Sequence, residues 1–261
     1  DGLPPVIVTF QGTDLMGERA SWFLRRMLTR HGVVCSIRAA IRSAAIIVVG
    51  SKMVHYLPES VRSKTNIIPC GIDLTRFRPL PLGECMQRLC WRRDCFHVTF
   101  AFGTDDPVKR LWLAQAVVEA VNKLGFPTEL HILKDVCNEE VLYWLNASNA
   151  LLLTSAQEGS PTIVKEALAC GLPIVSVDVG DVAEQTAWFP DCRIVGHDVL
   201  ELTNGLVSIL QNADQPFSRH EPDHFDHLER FSHLKIAKRL GSLYTRVLAE
   251  NAAASAQRTQ S

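Results

Sequence analysis

The sequence predicts an α/β protein built from two parallel-sheet domains. Short apolar, β-branched runs alternate with longer amphipathic patterns along most of the chain. A proline-punctuated stretch at Pro79 and Pro81 divides that alternation into two sets. Strands that alternate with helices pair in parallel and bury both faces of their sheet, so two such sets imply two Rossmann-like domains. Composition agrees: 261 residues, 47% hydrophobic and 21% charged, describe a globular chain and exclude a disordered or collagen-like one. The longest apolar runs fall far short of the roughly 20 residues that cross a bilayer.

In the first set, Val6 to Phe10 reads as a buried strand and Leu15 to His31 as a helix, with Gly32 as its stop. Ala44 to Val49 is a second strand, closed by Gly50 and Ser51 and followed by a short helix through Met53 and Tyr56. Asn66 to Pro69 is a third. The second set opens with a strand from His97 to Phe102 and a helix from Arg110 to Leu124, ending at Gly125. A strand from Glu129 to Leu133, a helix from Glu139 to Ser148 and a strand from Ala150 to Thr154 follow. Pro161 to Cys170 is helical, Pro173 to Val177 is a strand, and a last amphipathic helix runs from about His227 to Leu248. Residues 81–225 then form the second domain, residues 226–250 a terminal helix, and the Ala/Ser/Gln-rich residues 251–261 a disordered tail.

Charge is uneven. Residues 1–80 hold 11 of the 27 Lys/Arg but 5 of the 28 Asp/Glu, leaving residues 81–261 with 16 against 23. The basic first part suits an anionic partner, and Arg19, Arg26 and Arg30 share one helix face that allows a peripheral contact with an anionic membrane. A solvated face is the commoner reading of such a stripe. No dense basic stripe with interleaved aromatics points to nucleic acid. The eight cysteines form no C-x-x-C pair, and the series Cys85, Cys90, Cys95 with His97 lacks zinc-ribbon spacing. Reduced thiols are expected, and no metal site.

Chemistry concentrates in Ser155-Ala-Gln-Glu158-Gly159-Ser160-Pro161-Thr162-Ile163-Val164-Lys165-Glu166. A buried strand ends at Thr154, a loop carries Glu158 and Gly159, and Pro161 opens a helix where its missing N–H costs nothing. Gly159 lets the backbone approach a ligand closely. The first helical amides, those of Thr162 and Ile163, suit an anion such as a diphosphate. Glu166 lies further along the same helix, where a carboxylate accepts two hydrogen bonds from a vicinal diol such as a ribose. Two glutamates eight apart arise by chance in a chain with 14 Glu, about 0.7 pairs being expected, so the spacing alone decides nothing. The strand, Gly-Ser-Pro turn, helix, Gly171 stop and next strand around the pair give it weight.

With those residues in view, the chain resembles a retaining glycosyltransferase of family four with the GT-B fold. The resemblance rests on the E-x7-E segment EGSPTIVKE continuing into ALACGLPIVSVDVGDVAE, and on NIIPCGIDLTRFRP. AAIIVVGS, the opening VIVTFQGTDL and the closing FSHLKIAKRLGSLYTRVL also fit, so that nearly the whole chain is covered. It implies that Glu166 binds the nucleotide ribose, and that Glu158 with Gly159, Ser160, Thr162 and Ile163 holds the sugar and diphosphate. It implies that Lys109 and Arg110, after the first strand of the second domain, neutralise the leaving diphosphate without a metal or other cofactor. Lys109 and Glu158 are the expected catalytic residues. In many members a His precedes the Gly at Gln11-Gly12; glutamine can hydrogen-bond there but cannot act as a base.

The resemblance further implies that residues 1–80 are the later part of an acceptor-side domain, the earlier strands preceding Asp1, and that the terminal helix crosses back to it. The chain does not begin with Met and carries no signal-peptide pattern, so an N-terminally truncated fragment is expected, folding poorly in its first part and transferring little sugar. The expected partners are a nucleotide-sugar donor and a glycan or lipid-linked acceptor, in polysaccharide or cell-envelope synthesis. The expected location is cytoplasmic, with membrane contact at the inner face. The alternatives are a nucleotide-sugar-binding module without turnover, and a same-fold epimerase or phosphorylase.

Overall fold

A computed structural model describes residues 4–17, 23–101, 107–212 and 222–259. The chain divides into two compact units: residues 1–71 with 233–261, and residues 72–232.

The first unit carries a parallel three-stranded sheet in the order β1 (Ile7–Phe10), β2 (Ala45–Val48), β3 (Thr65–Ile67). Its central strand explains the unbroken apolar run Ala44 to Val49. Successive side chains of a strand point to opposite faces. Ile46 and Val48 pack with Phe10, Leu15, Ala40 and Met53, whereas Ala45 and Ile47 pack with Ile68, Ile236, Leu243 and Val247. The last three belong to α11 (His233–Thr259), which covers the second face. Their spacing, i, i+7 and i+11, keeps one helical stripe on the sheet, and each buried side chain is worth roughly 1.5–3 kcal/mol. Arg239 and Arg246 tie the same helix to β3, bonding the carbonyl of Ile67 and the side chain of Asn66.

Several elements differ from expectation. The helix foreseen from Leu15 to His31 is α1 (Thr13–Met16) and α2 (Phe23–Arg42), residues 18–22 lying outside the described part. Gly32 does not stop α2. It is exposed and helical, and the apolar series continues through Val33, Ile37 and Ala40, of which the last two join the core. Tertiary packing outweighs the cost of about 1 kcal/mol for a mid-helix glycine. Of the basic stripe, Arg19 and the Arg26 side chain lie outside the described residues, and Arg30 is exposed.

The second unit holds a five-stranded, all-parallel sheet: β4 (Phe96–Ala101), β5 (Thr128–Leu133), β6 (Ala150–Leu153), β7 (Ile174–Val177) and β8 (Arg193–Val195), in the order β5-β4-β6-β7-β8. The chain leaves β4 for one neighbour and returns to the other side for β6, so a crevice opens outside the carboxyl ends of those two strands. Helices α5 (Leu111–Lys123), α6 (Asn138–Ala147), α7 (Thr162–Ala169) and α9 (Val199–Leu210) contribute most of the helical side of the core, with Phe100, Val117, Leu145, Leu151, Val164, Ile174 and Leu206 at its centre. The Pro79–Pro81 stretch is no simple linker: Pro81 caps α4 (Leu82–Leu89), which buries Cys85 and Met86. Buried Asn146 fastens the stretch before it, accepting from Leu80 N at 2.7 Å and donating to Arg78 O at 3.1 Å.

The helix expected from His227 is interrupted. It is α10 (Pro222–Glu229) and then α11, because residues 231–232 give their backbone to a one-bridge pairing with Ile72, whose N–H donates to Phe231 O at 2.8 Å. α11 continues through Thr259, so the segment expected to be disordered is helical to that point, in keeping with its alanine-rich composition. Among the described residues no helix is long and apolar enough to cross a membrane, and the eight cysteines are free.

Candidate active site

The crevice beyond β4 and β6 gathers most of the residues singled out from the sequence. After β4 the chain is described again from Pro107, as a 3-10 turn over Pro107–Lys109 leading into α5. After β6 it runs through Thr154 to Gly159 before α7. The two loops are laced together: Ala156 N donates to Val108 O at 2.7 Å, and the Thr154 hydroxyl donates to Lys109 O at 2.8 Å.

That lacing brings Lys109 Nζ to 2.6 Å from Glu158 Oε1, with both side chains mostly withdrawn from water. Arg110 sits beside it in the left-handed region, φ 53°, at the N-cap of α5. Its guanidinium donates to the carbonyls of Thr154 at 2.5 Å and Ser155 at 3.3 Å, and lies 2.8 Å from His197 Nδ1. Arg110 therefore clamps the end of β6.

Pro161 stands at the N-cap of α7, one residue before the helix, and Thr162 and Ile163 form its first turn, half-buried. An α-helix leaves its first amides without intrahelical partners, so this end attracts an anion. Ser160, by contrast, belongs to a supporting network. The Gln185 amide donates to Ser160 Oγ at 3.3 Å and to Asp181 Oδ1 at 2.5 Å, and burial raises the Asp181 carboxyl above its ordinary range.

Glu166 is half-buried on α7. Burial pushes its carboxyl up to about 7, against the opposing pull of Arg76 and Lys165. Among the described residues none hydrogen-bonds that carboxylate. Arg76 has a buried Nη2 without a hydrogen-bond partner, and Ser155 Oγ is likewise buried and unpartnered. Buried polar groups are normally paired, and such exceptions mark strain or a place for a ligand.

Gly180 was not singled out by sequence reasoning. It has φ +55°, and a Cβ there would lie 2.8 Å from Gly159 O and 3.1 Å from Glu158 O. Only a glycine lets this turn support the Glu158-Gly159 loop. Arg76, also missed, lies within the quoted segment NIIPCGIDLTRFRP. A glycine after a strand was the available signal for the first, and none was available for the second.

Gln11 and Gly12 belong to the first unit. Gln11 is exposed, and both amides donate to the Asp14 carboxylate, at 2.9 and 2.8 Å, forming the turn into α1.

Comparison with known proteins now decides the family. Residues 82–212 match the family described as glycosyl transferases group 1. The chain belongs to that family. It is 26% identical over 175 residues to TuaC of Bacillus subtilis (strain 168), whose name assigns it to teichuronic acid biosynthesis as a glycosyltransferase. The match covers 58% of this chain and 43% of TuaC, so the chain spans less than half of that relative. Among solved structures it resembles sucrose-phosphate synthase from Thermosynechococcus elongatus, with a TM-score of 0.75 at 17% identity over 94% of this chain and 68% of that one. It also resembles HepE from Anabaena, solved in complex with UDP and glucose: TM-score 0.73, 15% identity, 92% of this chain and 71% of that one. The α/β fold with parallel sheets expected from the sequence is thus the GT-B fold of these glycosyl transferase neighbours.

Proposed function

We propose that this chain is the donor-binding part, with a portion of the acceptor side, of a retaining glycosyltransferase of family four. It moves a sugar from a nucleotide-diphosphate sugar to a hydroxyl acceptor. The observation that carries this reading is the Lys109–Glu158 pair at the mouth of the β4/β6 crevice, with the α7 amides and the Glu166 carboxylate, which no described residue hydrogen-bonds, on the same loop and helix. Glu166 accepts the ribose hydroxyls, and the amides of Thr162 and Ile163 with Gly159 receive the diphosphate. Lys109 leaves Glu158 for the diphosphate oxygens as their charge grows, releasing Glu158 to the sugar. Arg110 and Ser160 hold the loop that presents these groups.

In the reaction the bond from the anomeric carbon to the diphosphate oxygen breaks, and a bond to the acceptor oxygen forms on the same face. The acceptor proton passes to the departing diphosphate, so neither a metal nor a side-chain base at Gln11 is required. Gln11 and Gly12 line the acceptor side. TuaC's name supports a cell-envelope polysaccharide as the acceptor's class, and HepE solved with UDP supports a uridine nucleotide. Eight free thiols and a nucleotide-sugar donor support a cytoplasmic location, with the basic first unit as the membrane-facing part.

Calorimetric titration with UDP and GDP tests the proposal, repeated with Glu166→Ala and Lys109→Ala. Binding of one nucleotide that both variants lose is expected. A folded second unit that binds neither nucleotide removes the ground for it. Retention is read from the anomeric coupling of the product by NMR, and an inverted product excludes it.

A further inference from the structure

The amino ends of β4 and β5, away from the Lys109–Glu158 crevice, bring four metal-ligating side chains onto one face of the sheet. In the parallel register His97 pairs with Glu129 and Thr99 with His131. Side chains two apart on a strand share a face. His97 of β4, with Cys95 in the bend just before that strand, therefore stands beside Glu129 and His131 of β5. The sequence gives no hint of this, because the two pairs are more than 30 residues apart.

The ligand atoms converge. His97 Nδ1 lies 2.7 Å from His131 Nε2, and Glu129 Oε2 lies 3.9 Å from the first and 3.8 Å from the second. Cys95, His97 and Glu129 each offer a ligand atom within 4.8 Å of the others. The groups around the set fix its orientation, as hydrogen bonds to the far side of a metal-binding imidazole or carboxylate do. His97 Nε2 is 2.7 Å from Arg92 O, which assigns its proton to that carbonyl and leaves Nδ1 as a lone pair facing the cluster. The Arg92 guanidinium lies 3.6 Å from Glu129 Oε1, leaving Oε2 toward the imidazoles. Trp91 stacks on His131, centroids 3.6 Å apart and planes 8° from parallel, and Trp144 meets the same ring edge-on. His97 is 1% exposed and the Glu129 side chain 40%, so the set is closed at the imidazole and open to water at the carboxylate.

We propose that Cys95, His97, Glu129 and His131 form a structural zinc site that staples the 90–95 loop and β4 to β5. One thiolate, two imidazoles and a carboxylate suit a borderline-soft, four-coordinate ion. Tetrahedral coordination at Zn–N of 2.0–2.1 Å needs ring nitrogens about 3.3 Å apart. The two imidazoles open from their present hydrogen bond by about half an ångström, and Glu129 closes by a similar amount. The ion takes the place of the proton now held between the rings, which moves to His131 Nδ1 so that the imidazole stays neutral, and only the Cys95 proton leaves to solvent. The site is separate from the donor crevice, and its loss leaves the Lys109–Glu158 geometry in place.

The test uses the full chain, free of any affinity tag, stripped of metal and titrated with Co2+ and then Zn2+. One equivalent of Co2+ is expected to give tetrahedral visible bands with a thiolate charge-transfer band, both removed by Zn2+. Cys95→Ser abolishes the charge-transfer band, and Glu129→Gln and His131→Gln weaken Zn2+ binding at least tenfold. Cys137→Ser, an exposed thiol elsewhere, changes neither. Circular dichroism confirms that each variant folds. Should His131→Gln not fold, Glu129→Gln, at a side chain 40% exposed against 15% for His131, and Cys95→Ser decide the matter. Absence of binding, octahedral cobalt, or equal affinity in wild type and the ligand variants overturns the proposal.

Discussion

Replacing Glu166 with glutamine is expected to make the unliganded second unit more stable while weakening its hold on a nucleotide. The carboxyl is pushed from its ordinary 4.5 to about 7 because burial penalises its charge more than Arg76 and Lys165 relieve it. At about 1.4 kcal/mol per unit of pKa, keeping it ionised in the folded state costs about 3.5 kcal/mol at most. The carboxylate retains a solvent-facing side, which brings the expected effect to about 1–3 kcal/mol. The sign follows from linkage. A carboxyl raised on folding contributes its full penalty above pH 7, a shrinking one between pH 7 and 4.5, and none below. Urea unfolding at pH 8 and pH 4.5 tests this. Tryptophan fluorescence is the probe, since four of the five tryptophans (residues 91, 112, 144 and 188) lie in the second unit. Glu166→Gln should shift the midpoint upward at pH 8 and leave it almost unchanged at pH 4.5. An equal shift at both values, or a less stable variant at pH 8, refutes the claim that this carboxylate is desolvated and waiting for a partner. Loss of UDP binding in the same variant would make the site a case of stability given up for function.

Gly180→Ala forces a Cβ to 2.8 Å from Gly159 O at φ +55°, so a loss of about 2 kcal/mol or more is expected in thermal unfolding. Nucleotide affinity should fall at least tenfold by calorimetry. Arg110→Ala removes a clamp on the carbonyls of Thr154 and Ser155, and faster amide exchange over residues 154–159 is the expected readout, with protection of β7 unchanged. Arg110→Gly keeps the left-handed backbone and should lose less stability than Arg110→Ala, a comparison that separates the side chain from the dihedral. Asn146→Ala leaves Leu80 N without this acceptor and Arg78 O without this donor, at a cost of about 2–3 kcal/mol in urea unfolding.

Strand positions in this chain were legible because a strand of a parallel sheet buried on both faces is an unbroken apolar run. Ala44 to Val49 and Ala150 to Thr154 could hardly be anything else. The Glu158 to Glu166 segment was legible too, since a turn glycine, a proline at a helix start and a carboxylate one helix-length on are all local signals. Elements with weak local signals were missed. Helix α8 (Val182–Thr186) is barely more than a turn, and the three-residue β8 is only half-buried. The helix Val199 to Leu210 was missed although Asp198 and Glu201 mark its start, Glu201 N donating to the Asp198 side chain at 2.9 Å. Gly32 misled because an isolated glycine is a stop signal only when the apolar period ends with it, and here the period continued.

By itself the sequence determined where most strands, several helices and the Glu158–Gly159 loop begin, because those depend on periods of two and 3.6 residues and on turn chemistry within a few positions. Tertiary structure alone decided what meets across long separations. It set Gly180 against Gly159, left Arg76 and Glu166 desolvated in one neighbourhood, and laid Ile236, Leu243 and Val247 on a sheet formed more than 160 residues earlier. Strand register placed His97 beside Glu129 and His131. Register and packing are properties of which surfaces exclude water together, and no short window of sequence contains both surfaces.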